Sequence, residues 1–269
     1  QDSTTLSSNE AYDILIDQEN NVWVVTLDGV GRFNKRTQRF ELINTIQSQI
    51  VNPLPLLDIL LYESIDGTIW VGSQDGLARF DPEIQAFQSV GADSAAGDVL
   101  SNTSVTSITE SEDGRLWIGT FGGGINILEP ETGRITYMRH DPENPESIPD
   151  DYLLNLFIDN DQVLWVNYDR RENLFGIFTA EEEPGSPSCL WKKDLERQMV
   201  FHYKYQPESE QPLWGRISEF KQTRDGGLWF STLGGFGNSL RKYNELNDSF
   251  DTYEYDPEMP GSIPWNFST

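Results

Sequence analysis

The sequence is poor in the residues that build metal sites and disulfide bonds. Among 269 residues there is one cysteine, Cys189, and there are two histidines, His140 and His202. A single cysteine cannot form an intramolecular disulfide, and these three residues cannot assemble a zinc site of the cysteine and histidine type. The sequence therefore predicts neither a bound metal nor a cofactor.

Basic residues are also scarce. The chain has 19 lysines and arginines against 44 aspartates and glutamates, which gives a formal net charge of -25. Such a chain repels the phosphates of nucleic acids and anionic lipid headgroups, so we expect no nucleic-acid partner and no membrane contact. The acidic residues are spread along the chain rather than gathered in a tail, which is typical of a solvated surface.

Long hydrophobic runs and helical periodicity are missing as well. No stretch of about 18 apolar residues could span a bilayer as a helix. The chain starts at Gln1 without a signal-type apolar stretch, as we expect of a mature or trimmed product. Only residues 191–198 could form a short helix, so the sequence predicts an all-β protein.

What the sequence has in abundance is a repeat built around tryptophan. In the stretch SEDGRLWIGTFGGG, residues 111–124, an Asp-Gly pair is followed by a tryptophan, a small residue and glycines. Four other stretches carry versions of it, and the gaps between successive tryptophans are 47, 47, 48 and 64 residues. Self-similarity at a period of about 40 to 50 residues is typical of propeller blades. The five tryptophans are Trp23, Trp70, Trp117, Trp165 and Trp229.

Each repeat divides into four short strands. In the third repeat these are residues 104–109, RLWIGT, INILE and ITYMRH, separated by Asp113-Gly114, a glycine-rich turn and PETGR. Asp-Gly and glycine-rich turns supply the positive backbone angles of tight hairpins. A sheet of this kind buries both faces only when neighbours stack on it radially. We therefore predict a β-propeller of four-stranded antiparallel blades, with each repeat tryptophan filling the wedge between adjacent sheets.

Alignment of the motifs predicts one β-propeller domain over residues 1–269. The blades are expected at residues 8–46, 50–93, 100–141, 148–206 and 213–256. Residues 257–269 end in SIPWNFST, which matches SIPDDYLL at residues 147–154, so they are expected to enter a further blade. We interpret the chain as five complete blades plus the start of a sixth, a fragment of a larger propeller. Because an incomplete propeller exposes sheet faces and strand edges, self-association or a homodimer is expected.

The fourth repeat is longer than the others. We place its extra residues in EEEPGSPSCLWKKDLERQ, residues 181–198, between a third strand NLFGIFT and a fourth strand MVFHYKY. This placement predicts a loop insertion on one face of the protein.

The repeats resemble the two-component regulator propeller repeat. That repeat has a D-x-x-G-x-L-W-I-G-T-x-x-G-G-L stretch, an Asp-Pro turn and a Pro-Ser-Leu-Pro-like linker, and this chain has EDGRLWIGTFGGG, EPETG and HDPENPESIP. The fourth repeat departs from the pattern, with Asn167 where glycine is usual and no glycine pair after it. The resemblance implies a periplasmic, non-catalytic sensing domain of a hybrid histidine kinase or related signalling receptor. It also implies a propeller of the seven-bladed type and a ligand such as a polysaccharide breakdown product.

Candidate ligand-binding residues come from the loops that join second to third strands and fourth strands to the next blade. These loops should gather on one face, where aromatic plates and polar groups bind sugar-like ligands. Trp214 and Arg216 lead the set because they lie in a linker, and local packing of that linker is the alternative role. The full set is Phe121, Tyr168, Arg170, Arg171, Trp214, Arg216, Phe236 and Trp265.

Two other functions stay open from the sequence. A polysaccharide-active enzyme, a glycosidase or lyase, needs two carboxylates that project into one cleft. The repeated Asp66, Asp113 and Asp225 are explained as turn formers, and no nucleophile elbow, phosphate loop or metal spacing occurs, so we predict no enzyme. A protein-interaction scaffold that uses residues 181–198 is the second alternative.

Overall fold

Short strands that alternate with tight turns make up the described part of the chain. The computed structural model describes residues 11–26, 29–43, 59–91, 98–168, 187–204, 216–233, 239–256, 258–259 and 262. These residues form twenty β-strands in five four-stranded sheets. They contain no helix with the length and hydrophobicity needed to cross a membrane.

The strands are numbered in chain order, four to a sheet. The first sheet has β1 Ala11–Ile16, β2 Val22–Thr26, β3 Gly29–Asn34 and β4 Arg39–Ile43. The second has β5 Leu60–Glu63, β6 Ile69–Ser73, β7 Gly76–Asp81 and β8 Ala86–Val90. The third has β9 Val105–Glu110, β10 Leu116–Thr120, β11 Gly124–Glu129 and β12 Arg134–Met138. The fourth has β13 Leu153–Ile158, β14 Val163–Tyr168, β15 Pro187–Asp194 and β16 Val200–Lys204. The fifth has β17 Arg216–Gln222, β18 Leu228–Leu233, β19 Ser239–Asn244 and β20 Ser249–Tyr253.

All five sheets share one topology, in which each strand pairs antiparallel with the next strand along the chain. The predicted all-β propeller architecture of four-stranded antiparallel blades is therefore confirmed. By internal contacts the chain forms two compact units, residues 1–140 with the first three sheets and residues 141–269 with the other two. That residues 1–269 form a single domain stays a prediction, and most of the expected entry into a further blade lies outside the described residues.

Left-handed backbone at fixed places makes the turns tight. The turn between the first two strands of a sheet has glycine at this place in three sheets, as in Gly67 (φ 83°), Gly114 (φ 79°) and Gly226 (φ 90°). Asn20 and Gln162 take the same place in the first and fourth sheets. The turn between third and fourth strands also ends on a residue of positive φ in every sheet: Gln38, Gln85, Gly133, Gln198 and Asp248. The glycines, Asn20 and Asp248 tolerate this conformation, whereas Gln38, Gln85, Gln162 and Gln198 adopt a backbone that glutamine rarely takes.

Trp23 fills the space between the first two sheets. It is 2% exposed and packs in one cluster with Leu61 and Val71 of the second sheet. Its ring meets the edge of Phe80 at a centroid distance of 5.0 Å. Trp70 is placed in the same way between the second and third sheets, in a cluster with Ile108 and other third-sheet residues. The predicted wedge role is thus seen in the first unit.

Trp165 does the same within the second unit. It is 1% exposed and shares a cluster with Phe220 and Phe230 of the fifth sheet. Its ring meets Tyr243 at 4.8 Å. Truncating a buried tryptophan of this kind to alanine costs about 3 to 5 kcal/mol, so these side chains are major contributors to sheet stacking.

The other two repeat tryptophans differ from each other. Trp117 is 4% exposed on β10. Trp229 on β18 is only half-buried, and its ring contacts Tyr253 of its own sheet at 5.3 Å. The sequence predicted a wedge role for all five tryptophans, and Trp229 departs from it, since its described ring contact lies within its own sheet.

The structure corrects the expected course of the fourth repeat. The strand paired with β14 is β15, Pro187–Asp194, in register from Val163 opposite Asp194 to Asn167 opposite Leu190. The expected third strand NLFGIFT lies outside the described residues, and residues 191–198 form strand and turn instead of a helix. Burial explains the preference, since Leu190 and Trp191 are 2% and 0% exposed. The extra residues of this repeat therefore lie at 169–186, between second and third strands.

Candidate ligand-binding face

Each sheet has two ends that differ in what they carry. The turns between first and second strands and between third and fourth strands lie at one end, which we call the turn end. The opposite end, the loop end, carries the loop between second and third strands and the linker that enters the first strand. This follows from the antiparallel order, and it places the described ligand candidates Phe121, Tyr168 and Arg216 at the loop ends of their sheets.

The loop end of the third sheet is the best defined. The Phe121 N–H donates to the Ser104 carbonyl at 2.9 Å, which joins the loop after β10 to the linker before β9. The Ser101 hydroxyl donates to the Gly123 carbonyl at 2.7 Å, and the Ser101 N–H donates to Asn126 Oδ1 at 2.7 Å. The linker is thus held to the loop by two hydrogen bonds and to β11 by a third.

Gly123 is required for this close approach. A Cβ atom at this position would lie 2.5 Å from Ser101 Oγ, 2.7 Å from Asn102 Cβ and 2.7 Å from Thr120 Oγ1. No larger residue fits unless the linker moves. The glycine run of the repeat therefore serves both the turn and the seating of the linker.

Hydroxyl groups close the loops at the ends of the second strands. Thr26 Oγ1 donates to the Gly29 carbonyl at 3.1 Å, and Thr120 Oγ1 donates to the Gly124 carbonyl at 2.9 Å. The fourth sheet has Tyr168 at this place, followed by the long connection at 169–186. Loss of the hydroxyl cap thus coincides with the longest loop-end connection.

Three of the eight predicted ligand residues lie in the described part of the chain. Phe121 is half-buried directly after β10, and Tyr168 ends β14 with 3% exposure, which leaves it little surface for a ligand. Arg216 begins β17 opposite Leu233, at the loop end of the fifth sheet. The other five lie outside the described residues: Arg170, Arg171, Trp214, Phe236 and Trp265. The ligand role of all eight stays a prediction.

Two grooves lie at the turn end. One, of about 570 Å³, is lined by turns of the second and third sheets and includes Asp66, Glu110 and Asp113. The other, of about 530 Å³, is lined by turns of the fourth and fifth sheets and includes Asp225 and Lys242. The repeated turn aspartates therefore border these grooves, which the sequence did not predict.

The carboxylates of the first groove have turn-forming roles. Asp66 Oδ1 accepts the Ser64 hydroxyl at 2.6 Å and the Thr68 N–H at 2.9 Å, and its pKa lies below the ordinary value because these bonds outweigh its burial. Glu110 Oε2 accepts the Ile65 N–H at 2.7 Å, but burial and the nearby Asp66 raise its pKa. Among the described residues, no group of three metal-ligating side chains occurs.

A buried lysine in the second unit was missed by the sequence reasoning. Lys192 is 6% exposed and lies over the rings of Trp165 and Tyr243, at 5.0 and 4.5 Å. Its Nζ donates to Tyr243 Oη and to Asp248 Oδ1, both at 2.6 Å. The sequence does contain a signal for the burial of this lysine. The stretch DLERQ at residues 194–198 matches NKRTQ at 34–38 and DPEIQ at 81–85, the turns between third and fourth strands, and this match would have placed residues 187–194 on a third strand.

Comparison with known proteins gives the repeat an assignment. Residues 99–122 match the family model described as two component regulator propeller. This segment runs from the linker through β9 and β10 to Phe121 and Gly122, so it begins and ends at the loop end of the third sheet. No curated protein sequence matches the chain.

Solved structures show the fold at low sequence identity. The extracellular domain of a hybrid two-component system from Bacteroides thetaiotaomicron is similar over 92% of this chain, with 21% identity and a TM-score of 0.65. This chain covers 29% of that one, so it spans less than a third of its length. The Dos1 propeller matches over 91% of this chain and 60% of its own, with 11% identity and a TM-score of 0.57.

A third similar structure is an auxiliary nutrient binding protein from Bacteroides thetaiotaomicron. It matches over 91% of this chain and 57% of its own, with 8% identity and a TM-score of 0.50. At such identities the likeness concerns the fold. Together with the five sheets, these comparisons establish that the chain is a propeller-type protein that carries a two component regulator propeller repeat at residues 99–122.

Proposed function

We propose that this chain is a non-catalytic, extracytoplasmic ligand-sensing domain of a two-component or hybrid signalling receptor. The observation that carries the proposal is the regulator propeller repeat at residues 99–122, which ends in the loop of Phe121. The similar structure with the TM-score of 0.65 is described as an extracellular domain of such a system, which supports an extracytoplasmic location. More finely, the location that we propose is periplasmic.

The ligand that we propose is a carbohydrate-type small molecule, bound at the loop end. Sugars need an aromatic plate and a few convergent polar groups on a preformed support. In the first unit, Phe121 offers a half-buried ring beside a linker fixed by Ser101. In the second unit, taken separately, Arg216 begins its strand at the loop end of the fifth sheet. The long connection at residues 169–186 leaves the same end of the fourth sheet and contains Arg170 and Arg171.

Signalling by such a domain requires two states with different affinity for the ligand. A ligand that binds both states equally shifts nothing, however tightly it binds. We propose that the sugar favours one arrangement of associated copies.

The test is calorimetric titration of the 269-residue chain with oligosaccharides from enzymatic digests of several polysaccharides. We expect one class to bind, and Phe121→Ala and Arg216→Ala to weaken it by about tenfold or more, equivalent to about 1.4 kcal/mol. Two variants at the turn end serve as matched controls. Leu246→Ala changes a side chain that is 99% exposed, and Arg134→Ala changes the first residue of β12.

Two results would contradict the proposal. Absence of binding across the whole panel would remove the carbohydrate ligand, and equal losses in the control variants would remove the loop-end sites. Release of shortened sugars during incubation would favour the polysaccharide-active enzyme instead.

A further inference from the structure

The fourth repeat carries an asparagine where the repeat pattern has glycine. Asn167 lies two residues after Trp165 on β14, and Gly72 and Gly119 occupy this position on β6 and β10. Asn167 is 0% exposed and lies opposite Leu190 of β15. Because polar side chains buried this deeply are hydrogen-bonded, the partner of Asn167 indicates what the asparagine does.

The Asn167 side chain binds the backbone of the next sheet. Its Oδ1 accepts the Ile217 N–H of β17 at 3.2 Å. Ile217 is 3% exposed and packs in the cluster that contains Trp165. The hydrogen bond therefore joins two buried groups, one from the fourth sheet and one from the fifth, inside the second unit.

Glycine at this position of the second sheet serves packing instead. A Cβ atom on Gly72 would lie 2.7 Å from Val105 Cγ1 of the third sheet. Val105 is the equivalent of Ile217, since each lies opposite a threonine of the second strand, close to the start of the first strand. The change from glycine to asparagine thus exchanges a close approach of side chains for a hydrogen bond to the backbone.

The equivalent N–H group in the third sheet is bonded within its own linker. The Val105 N–H donates to the Thr103 carbonyl at 2.8 Å, two residues earlier in the chain. The start of β9 is therefore held by local backbone, whereas the start of β17 is held by a side chain of the preceding sheet. Of these two arrangements, the second ties the position of the strand start to another sheet.

A bulge separates the start of β17 from the rest of the strand. Arg216 and Ile217 pair with β18, and the register then shifts between Ile217 and Glu219. A bulge leaves an unpaired residue and disrupts the ladder locally. The hydrogen bond from Ile217 to Asn167 is therefore an additional constraint on the two residues that precede the bulge.

We propose that Asn167 is a positioning residue for Arg216, the ligand-binding candidate at the loop end of the fifth sheet. The Ile217 N–H belongs to the peptide group that follows Arg216, so the bond fixes the backbone that carries the Arg216 side chain. Groups that bind a ligand must be held to within about 0.5 Å by the residues that support them. The inference rests on the proposed sugar site and adds to it the residue that holds Arg216 in place.

Two substitutions separate the hydrogen bond from the volume of the side chain. Asn167→Leu keeps a similar size and removes the acceptor, whereas Asn167→Asp keeps an oxygen at the place of Oδ1. Hydrogen exchange at the Ile217 amide reports on the bond directly and requires no sugar. We expect this amide to exchange about tenfold faster or more in Asn167→Leu and to stay protected in Asn167→Asp.

Sugar binding tests the consequence for Arg216 in a double-mutant cycle. The probe is the oligosaccharide digest that binds the wild type in calorimetry. Arg216→Ala and Asn167→Leu should each weaken binding by about tenfold, and the double variant should bind no more weakly than Arg216→Ala alone. Asn167→Asp should bind as the wild type does. Leu190→Ala is the matched control with unchanged affinity, because it opens a cavity opposite Asn167 and keeps the hydrogen bond.

Three results would overturn the proposal. They are unchanged exchange at the Ile217 amide in Asn167→Leu, losses of affinity that multiply in the double variant, and an equal loss of affinity in Leu190→Ala. If no digest binds the wild type, the proposed sugar site fails, and exchange at the Ile217 amide by itself decides whether Asn167 holds the start of β17. Urea unfolding verifies that each variant is folded.

Discussion

Trp117 Nε1 donates to Ser111 Oγ at 3.0 Å, and the residue six positions before the tryptophan accepts its indole proton in three other sheets as well. Ser64 accepts that of Trp70 at 3.1 Å. Asp17 and Asp159 accept those of Trp23 and Trp165, each at 2.8 Å. The wedge tryptophans are therefore fixed by a polar anchor as well as by packing, and the anchor is either a serine or an aspartate.

Ser111→Ala should destabilise the protein because it leaves the buried indole N–H of Trp117 without an acceptor. An unsatisfied buried donor costs about 1 to 3 kcal/mol. Ser111→Asp should recover most of the loss, since aspartate is the natural acceptor in the first and fourth sheets. Urea unfolding measures the stability of both variants, and Ser89→Ala, at an exposed position of β8, is the control. Equal stability of the alanine variant and the wild type would mean that water replaces the serine.

Gly72→Ala should also be destabilising, through overpacking between the second and third sheets. A Cβ at this position would lie 2.7 Å from Val105 Cγ1 and 3.2 Å from Leu60 Cγ. Such a substitution typically costs about 1 to 3 kcal/mol. Gly31→Ala is the matched control, because its Cβ would meet nothing closer than Phe40 Cδ1 at 3.5 Å. Thermal unfolding of the two variants should separate them, and equal melting temperatures would show that Val105 moves aside freely.

Gly123→Ala should displace the linker at the loop end of the third sheet. The added methyl would occupy the place of Ser101 Oγ, so the hydrogen bond from the Ser101 N–H to Asn126 should weaken. Hydrogen exchange at the Ser101 amide should speed up by about tenfold or more, equivalent to a weakening of about 1.4 kcal/mol. Exchange at the Phe33 amide serves as an internal control. An unchanged Ser101 amide would mean that the linker is held by other contacts.

Asp248→Asn should lower stability near neutral pH and have less effect in acid. Burial raises the pKa of Asp248, but hydrogen bonds from Lys192, Tyr203 and Tyr243 outweigh it, so its pKa lies below the ordinary value. A carboxyl with a lowered folded-state pKa stabilises the fold above its unfolded pKa of about 3.9. This contribution is lost as the pH falls through the folded pKa.

Urea unfolding of the wild type and Asp248→Asn at pH 7 and at pH 3 measures this effect. The difference in unfolding free energy between the two proteins should be larger at pH 7. Asp251→Asn on the same sheet controls for the change in net charge. A difference that stays constant with pH would show that the asparagine accepts the three hydrogen bonds as well as the carboxylate does.

The repeat made much of the fold predictable. Four-stranded units, antiparallel order and the burial of Trp23, Trp70, Trp117 and Trp165 follow from a pattern copied along the chain, because equal local sequences make equal hairpins and equal sheet faces. The error in the fourth repeat arose where the copy is imperfect. There, the apolar run NLFGIFT resembled a strand, and only pairing with β14 showed that residues 187–194 take that place.

The candidate site was less predictable than the fold. The register placed Phe121, Tyr168 and Arg216 at the loop ends of their sheets, but Tyr168 is nearly fully buried there. The seating of the linker on Gly123 depends on residues more than twenty positions apart, which no local pattern reveals.

The sequence by itself determined the turns, the antiparallel order of strands within a repeat and the burial of Trp23, Trp70, Trp117 and Trp165, because each depends on residues close together in the chain. Tertiary structure alone decided which faces are covered. Trp229 lies in a local sequence similar to that of Trp117, RDGGLWFST against EDGRLWIGT, yet is half-buried, and Lys192 is buried only because Tyr243 and Asp248 of the following sheet receive it. Burial depends on what packs against a side chain, and a repeat does not specify which of its copies has a neighbour.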